Sequence, residues 1–380
     1  MNFEALTDYL DTLSRLNVPG CDLAVYKDHQ PVYRHQAGFR DDEKQQPMAG
    51  NETFFLYSAT KVFTTCAVMQ LVEQGKIRLD DPVSDYLPDY AHLTVKDGDT
   101  VRPAKTVMTV RHLMSMQSGL NYDREGPEVT AVAKEYGPRM TTRQLAEAKA
   151  REPLEFDPGT DFLYSLSHDV LGAVIEAASG ERFSDYLRAH IWEPLGLKTL
   201  SFRLTDEIRA RLCAEYFYDP ASYRLKPVPQ EELLERGKEK EYESGGGGLI
   251  GDVDSYIAFA DALACGGRGK NGAQILSPEM IQLWSANQLG PKGRKSFDGW
   301  KRLGYSYALG VRTRVTNRIG GLGPVGEFGW DGAAGAWAMI DPINRVSAFF
   351  GMHVLNYGYN YDVIHPTIRS LIYEGLGKPD

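Results

Sequence analysis

Strand-like patterning is confined to the two ends of this chain and helix-like patterning fills its middle, so any sheet must join segments far apart in sequence. Residues 21–39 read as two short strands, around Leu23-Ala24-Val25-Tyr26 and Val32-Tyr33, with a turn near Asp28. Past residue 300 the texture returns to strands, with candidates Tyr305–Thr313, Ala336–Ile340 and Val346–Val354 and a turn at Asp341-Pro342-Ile343-Asn344. Helices are expected from about Ser58 to Gln74, from Ser167 to Ser179, and after Asp252, each stopped by glycine. Phe3, Leu6, Leu10, Leu13 and Leu16 open the chain at helical spacing, and a last helix follows His365-Pro366. The expectation is an α+β domain assembled from residues 1–75 and 240–380, with a mainly helical domain, residues 76–239, inserted between them.

At 380 residues the chain buries enough surface to need no metal or disulfide staple. Its 42 Lys+Arg against 51 Asp+Glu leave a net charge of −9, which gives no general attraction to nucleic acid or to anionic membranes. The four cysteines, Cys21, Cys66, Cys213 and Cys265, are widely spaced and read as buried or incidental thiols. No apolar run is long enough to span a membrane, and the start of the chain lacks a basic, apolar leader, so the chain as written reads as cytoplasmic. The oligomeric state is not legible.

Three segments could carry chemistry. In Ser58-Ala59-Thr60-Lys61, the one S-x-x-K of the chain, a helix start puts the Ser oxygen and the Lys nitrogen on one face. The helix N-terminus and the ammonium both favour negative charge on that oxygen. Taken alone, the pair reads more readily as a helix cap and a surface lysine than as a catalytic pair. Tyr164, in Phe162-Leu163-Tyr164-Ser165-Leu166, stands just ahead of the second helix, and a neighbouring cation would favour its phenolate as a general base. Gly326 to Gly335, containing Trp330-Asp331-Gly332-Ala333, is a glycine-rich strand entry where a backbone N–H could complete an oxyanion hole with that of Ser58.

Other motifs fail on context. Three G-x-G-x-x-G matches, from Gly246, Gly267 and Gly321, lack the preceding buried strand that a dinucleotide site needs. The eight histidines form no H-E-x-x-H, so neither a catalytic metal nor any other cofactor is expected, and no G-x-S-x-G elbow exists.

Together, the order and spacing of the three segments resemble the serine β-lactamase and penicillin-binding-protein superfamily, in its class C-like branch. Thr109-Val110-Arg111-His112-Leu113-Met114 with Ser118-Gly119-Leu120, and Gly246-Gly247-Gly248-Leu249, look like two further segments of that branch. The resemblance implies a β-lactamase/transpeptidase-like fold, an antiparallel sheet flanked by helices. It implies Ser58 as nucleophile, Lys61 as its proton partner, Tyr164 as the base serving the leaving group, and an oxyanion hole from the Ser58 and Ala333 N–H groups.

Two departures bear on substrate. The family's Tyr-x-Asn reads Tyr164-Ser165-Leu166, and its Lys-Thr-Gly reads Trp330-Asp331-Gly332, so the cation that attracts a substrate carboxylate is missing and Asp331 adds the opposite charge. An aromatic residue there is similar to the family VIII carboxylesterases. A carboxylesterase acting on a small ester or amide is therefore expected, with Leu166, Trp330, Asp331 and Gly332 at the substrate. The alternatives are a β-lactamase or D-Ala-D-Ala carboxypeptidase, should an Arg or Lys from elsewhere reach the site, and a scaffold that kept the fold without turnover. The charged segment Asp219–Glu243 reads as irregular, either a lid or a surface loop.

Overall fold

A computed structural model describes residues 1–377. Eight strands form one antiparallel sheet: β1 (Gly20–Lys27), β2 (Gln30–Asp41), β3 (Gln46–Pro47), β4 (Tyr305–Tyr307), β5 (Arg312–Arg314), β6 (Phe328–Gly329), β7 (Trp337–Asp341) and β8 (Val346–Met352). Their order is β4-β5-β6-β7-β8-β1-β2-β3, so the two chain ends meet where β1 lies beside β8, with Leu23 opposite Phe350 and Val25 opposite Ala348.

The strand period of two explains why both faces are covered. Leu23, Val25, Met339, Ala348 and Phe350 pack under helix α1 (Glu4–Thr12), with the closing helix His365–Leu376 on the same face. The alternate residues Ala24, Ala338, Ile340 and Phe349 join the larger core on the opposite face. That core contains helix α2 (Thr60–Glu73), which is buried on every side from Thr60 to Leu71. A helix with no polar face belongs in the middle of a core. Helix α3 (Thr142–Arg151) packs on α4 (Ser167–Ser179), which packs on α2, and α5 (Val253–Ala264), capped by Asp252, lies along β1, β7 and β8.

Three expectations are corrected. Tyr305–Thr313 is a hairpin, because Gly310, at φ 75°, turns the chain where a Cβ would strike Thr65 Oγ at 2.1 Å. The middle of the chain also holds two β-hairpins, Thr94–Asp97 with Thr100–Pro103 and Tyr216–Asp219 with Arg224–Pro227. The segment Asp219–Glu243 is ordered: it contains the latter hairpin's second strand and a helix, Gln230–Arg236. Among the described residues, no helix is long and apolar enough to cross a membrane.

Candidate active site

Ser58 sits in the 3-10 turn Tyr57–Ala59 that leads into α2. Tyr57, just before it, has φ 46°, a left-handed conformation that costs a non-glycine residue about 1 kcal/mol or more. The strain is held by an anchor: the Tyr57 hydroxyl donates to Glu215 at 2.7 Å, and Arg236 pairs with the same carboxylate at 2.6 Å. Glu215 and Arg236 therefore fix the turn that presents the serine.

Lys61, one helical turn on, is fully buried, with Nζ 3.2 Å from Ser58 Oγ and 2.6 Å from the Gly246 carbonyl. The glycine run lies against α2, because Thr64 Oγ bonds Gly245 O and the Leu249 N–H bonds Thr60 Oγ. Among the described residues Lys61 makes no ion pair with a carboxylate. Burial pushes its ammonium down to about 7; Asp169 opposes that shift and Arg124 adds to it. A neutral amine beside a serine hydroxyl can take its proton.

Tyr164 lies over the same lysine, whose Nζ is 4.6 Å from the ring centroid. Its hydroxyl is beside Ser58 and accepts the Trp330 indole N–H at 3.0 Å. The expectation of a stabilised phenolate is corrected here. Burial is the largest effect on Tyr164 and pushes the phenol well above its usual range, with Tyr122 and Tyr307 pushing the same way. A neutral phenol is a hydrogen-bond donor, which leaves Lys61, pushed down to about 7, as the candidate base. The Thr109–Leu120 segment locks this stretch in place, since Leu163 N–H bonds Met116 O and Ser118 bonds Ser167 at 2.8 Å.

The strand entry at 330–335 lies across from the serine. A Cβ on Gly332 would meet Leu56 O at 2.4 Å, so only glycine allows this approach. The Gly332 N–H is used by Ala336 O, and the Tyr361 hydroxyl pins Gly332 O at 2.9 Å. Ala333 is exposed, and among the described residues its N–H has no acceptor. Trp330 is buried against Tyr164, Tyr307 and Trp300. Asp331 adds no free negative charge, contrary to the sequence expectation, since Arg312 holds it at 2.6 Å and Arg302 at 3.1 Å. Leu166 is fully buried and precedes α4, so it presents no surface to a ligand.

Four neighbours escaped the sequence reading. Tyr122 stacks on Tyr164 at 5.6 Å with its hydroxyl beside Ser58, and Trp300 packs on Tyr164 at 4.9 Å, which makes the cleft wall aromatic. Arg124 lies over Tyr122, 5.4 Å from the ring centroid, as an exposed cation at the cleft. Asp169 is buried behind Lys61, held by the Tyr242 and Ser244 hydroxyls. Tyr122 and Arg124 follow Ser118-Gly119-Leu120 directly, and that proximity to a family-like segment was the available signal.

The family model described as Beta-lactamase matches residues 4–358. Esterase EstB of Burkholderia gladioli is 30% identical over 271 residues, which cover 64% of this chain and 65% of that protein. Two solved structures share the fold. EstCE1, a hydrolase with promiscuous acyltransferase activity, superposes with a TM-score of 0.79 at 24% identity, covering 98% of this chain and 97% of that one. Simvastatin synthase (LovD) from Aspergillus terreus superposes with a TM-score of 0.80 at 21% identity, covering 99% and 98%. The chain belongs to the beta-lactamase family, the serine hydrolases and acyltransferases of this fold.

Proposed function

We propose that this protein is a serine carboxylesterase that hydrolyses short-chain esters through an acyl-enzyme on Ser58. The observation that carries the reading is Lys61, fully buried and, among the described residues, in no ion pair with a carboxylate, 3.2 Å from Ser58 Oγ and pushed down to about 7. In this mechanism Lys61 takes the Ser58 proton as Oγ attacks the ester carbonyl. The Ser58 and Ala333 N–H groups hold the oxyanion. On collapse the C–O bond to the alcohol breaks, and the Lys61 ammonium returns the proton to the leaving alkoxide through the Tyr164 hydroxyl. Water then repeats the sequence on the acyl-enzyme, with Lys61 again as base, and releases the acid.

The choice of ester rests on the walls of the cleft. Tyr122, Tyr164, Trp300 and Trp330 favour an apolar acyl or alkyl group, and Trp330-Asp331-Gly332 supplies no free cation for a carboxylate. EstB, an esterase by name, supports the same choice. One observation favours the β-lactamase or D-Ala-D-Ala carboxypeptidase reading: Arg124 is an exposed cation beside Tyr122, where a substrate carboxylate could be met.

Initial rates on p-nitrophenyl butyrate and on nitrocefin, for the wild type and Ser58→Ala, test the reading. The expected result is faster turnover of the ester, lost by several orders of magnitude in Ser58→Ala. Faster turnover of nitrocefin would transfer the assignment to the β-lactamase reading and give Arg124 the carboxylate. Equal rates in the wild type and Ser58→Ala would remove Ser58 from the mechanism.

A further inference from the structure

The hairpin turn between β1 and β2 carries a group that ester hydrolysis does not use. Its two turn residues, Asp28 and His29, have φ 51° and 63°. Two-residue turns of this hand favour Asn-Gly, because both positions are left-handed. A histidine there is strained, and what it gains is a contact with the end of α5. His29 Nδ1 is 2.7 Å from Asp261 Oδ2, and the His29 backbone N–H donates to Asp261 Oδ1 at 3.3 Å. Cys265, the residue that closes α5, places its Sγ 3.8 Å from Asp261 Oδ1. One donor atom from each of the three side chains lies within 4.8 Å of the other two, the one such group of three among the described residues.

We propose that His29, Asp261 and Cys265 form a binding site for a divalent transition metal ion, with zinc the best match. Imidazole nitrogen, thiolate sulfur and carboxylate oxygen are the donor types that zinc takes in four-coordinate sites. The carboxylate and the thiolate together balance a dication. The carbonyl end of a helix also favours positive charge, and Cys265 stands at that end of α5. Cys265 and Arg345 line a cavity of about 660 Å³.

The site is separate from the Ser58 cleft. Tyr256, in the first half of α5, bonds Ala59 O, whereas Cys265 is nine residues further on, about 13 Å along the axis. The eight histidines gave no ligand spacing in sequence because His29 reaches its partners only through the hairpin.

Proton balance sets the pH dependence. To bind, His29 presents Nδ1 in its lone-pair form, its ring proton residing on Nε2, and the Cys265 thiol releases one proton to solvent as the S–metal bond forms. The charged groups that face it are Asp261, Asp28 on the turn and Arg345 after β7; Arg345 is paired with Asp28 at 2.5 Å. Because binding releases a proton, affinity should rise with pH.

The test is titration of tag-free, chelator-stripped full-length protein with cobalt(II) chloride, followed by near-ultraviolet absorbance. The expected result is a thiolate-to-cobalt charge-transfer band that saturates at one equivalent and is displaced by zinc chloride. Cys265→Ser should lack the band. His29→Ala, on a half-buried turn, should weaken cobalt binding at least about tenfold, and it serves if Cys265→Ser does not fold. Ser58→Ala should bind as the wild type does. No band at millimolar cobalt, or a band of undiminished intensity in Cys265→Ser, would overturn the proposal.

Discussion

Two lysines among the described residues lie fully inside this protein, and their surroundings assign them opposite work. Lys149, on α3, is 1% exposed and donates to the Glu152 carboxylate at 2.5 Å, to Asn121 Oδ1 at 2.9 Å and to Asp123 O at 3.2 Å. Lys61, on α2, is 0% exposed, and among the described residues its hydrogen bonds go to a carbonyl and a hydroxyl, with no carboxylate in an ion pair. The lysine paired with a carboxylate pins structure, here the loop that carries Tyr122 and Arg124. A buried ammonium without one is expensive to keep charged, so it sheds its proton near neutrality and becomes a base. The difference lies in one carboxylate, and it can be tested from both sides.

The largest expected effect comes from deleting the base. Lys61→Met should lower kcat/KM for p-nitrophenyl butyrate by about a thousandfold or more while leaving a folded protein, as read by steady-state kinetics and circular dichroism. Lys149→Met should do the reverse. It leaves Glu152 buried without its partner and should cost about 3–5 kcal/mol in urea unfolding, with kcat changed less than about tenfold.

Stability against pH separates the two lysines further. Lys61 titrates at about 7 in the folded chain against an ordinary value of 10.5, so between these pH values the unfolded state binds the extra proton. Wild-type stability should rise with pH across that window by on the order of 1.4 kcal/mol per unit from this group, and the penalty is fully present below it. Lys61→Met should therefore exceed the wild type in stability by most at pH 7 and below. The advantage should shrink as pH approaches 10, as measured by paired denaturant melts. The smallest effect belongs to Trp330→Phe, which removes the 3.0 Å hydrogen bond to Tyr164; a loss of about 1 kcal/mol should lower kcat some fivefold with little change in KM.

The contrast also marks how far the sequence could be read. Ser58 and Lys61 were legible because a three-residue spacing on a helix fixes their relation locally. Strands β1, β7 and β8, and helix α4 with its glycine stop at Gly180, were legible for the same reason, since period and cap are local signals. The surroundings of Lys61 were not legible, because Asp169 and Gly246 approach it from distant parts of the chain. Asp331 misled for the same reason: its charge is visible in sequence, whereas Arg312 and Arg302, which neutralise it, are assigned to it only by the fold. The hairpin at Tyr305–Thr313 was hidden by an apolar run whose turn is set by Gly310 packing on Thr65 and His168. The aromatic wall was hidden because Tyr122, Tyr164, Trp300 and Trp330 come from four separate segments of the chain.

The central claim is that neutral Lys61 activates Ser58. It is tested most directly by the rate at which a fluorophosphonate labels the intact protein as a function of pH, read by mass. The account predicts a single adduct on Ser58, a labelling rate that rises through one ionisation near 7, and loss of that ionisation in Lys61→Met. Labelling that persists in Ser58→Ala, or a wild-type rate with no ionisation between pH 5 and 9, would contradict it.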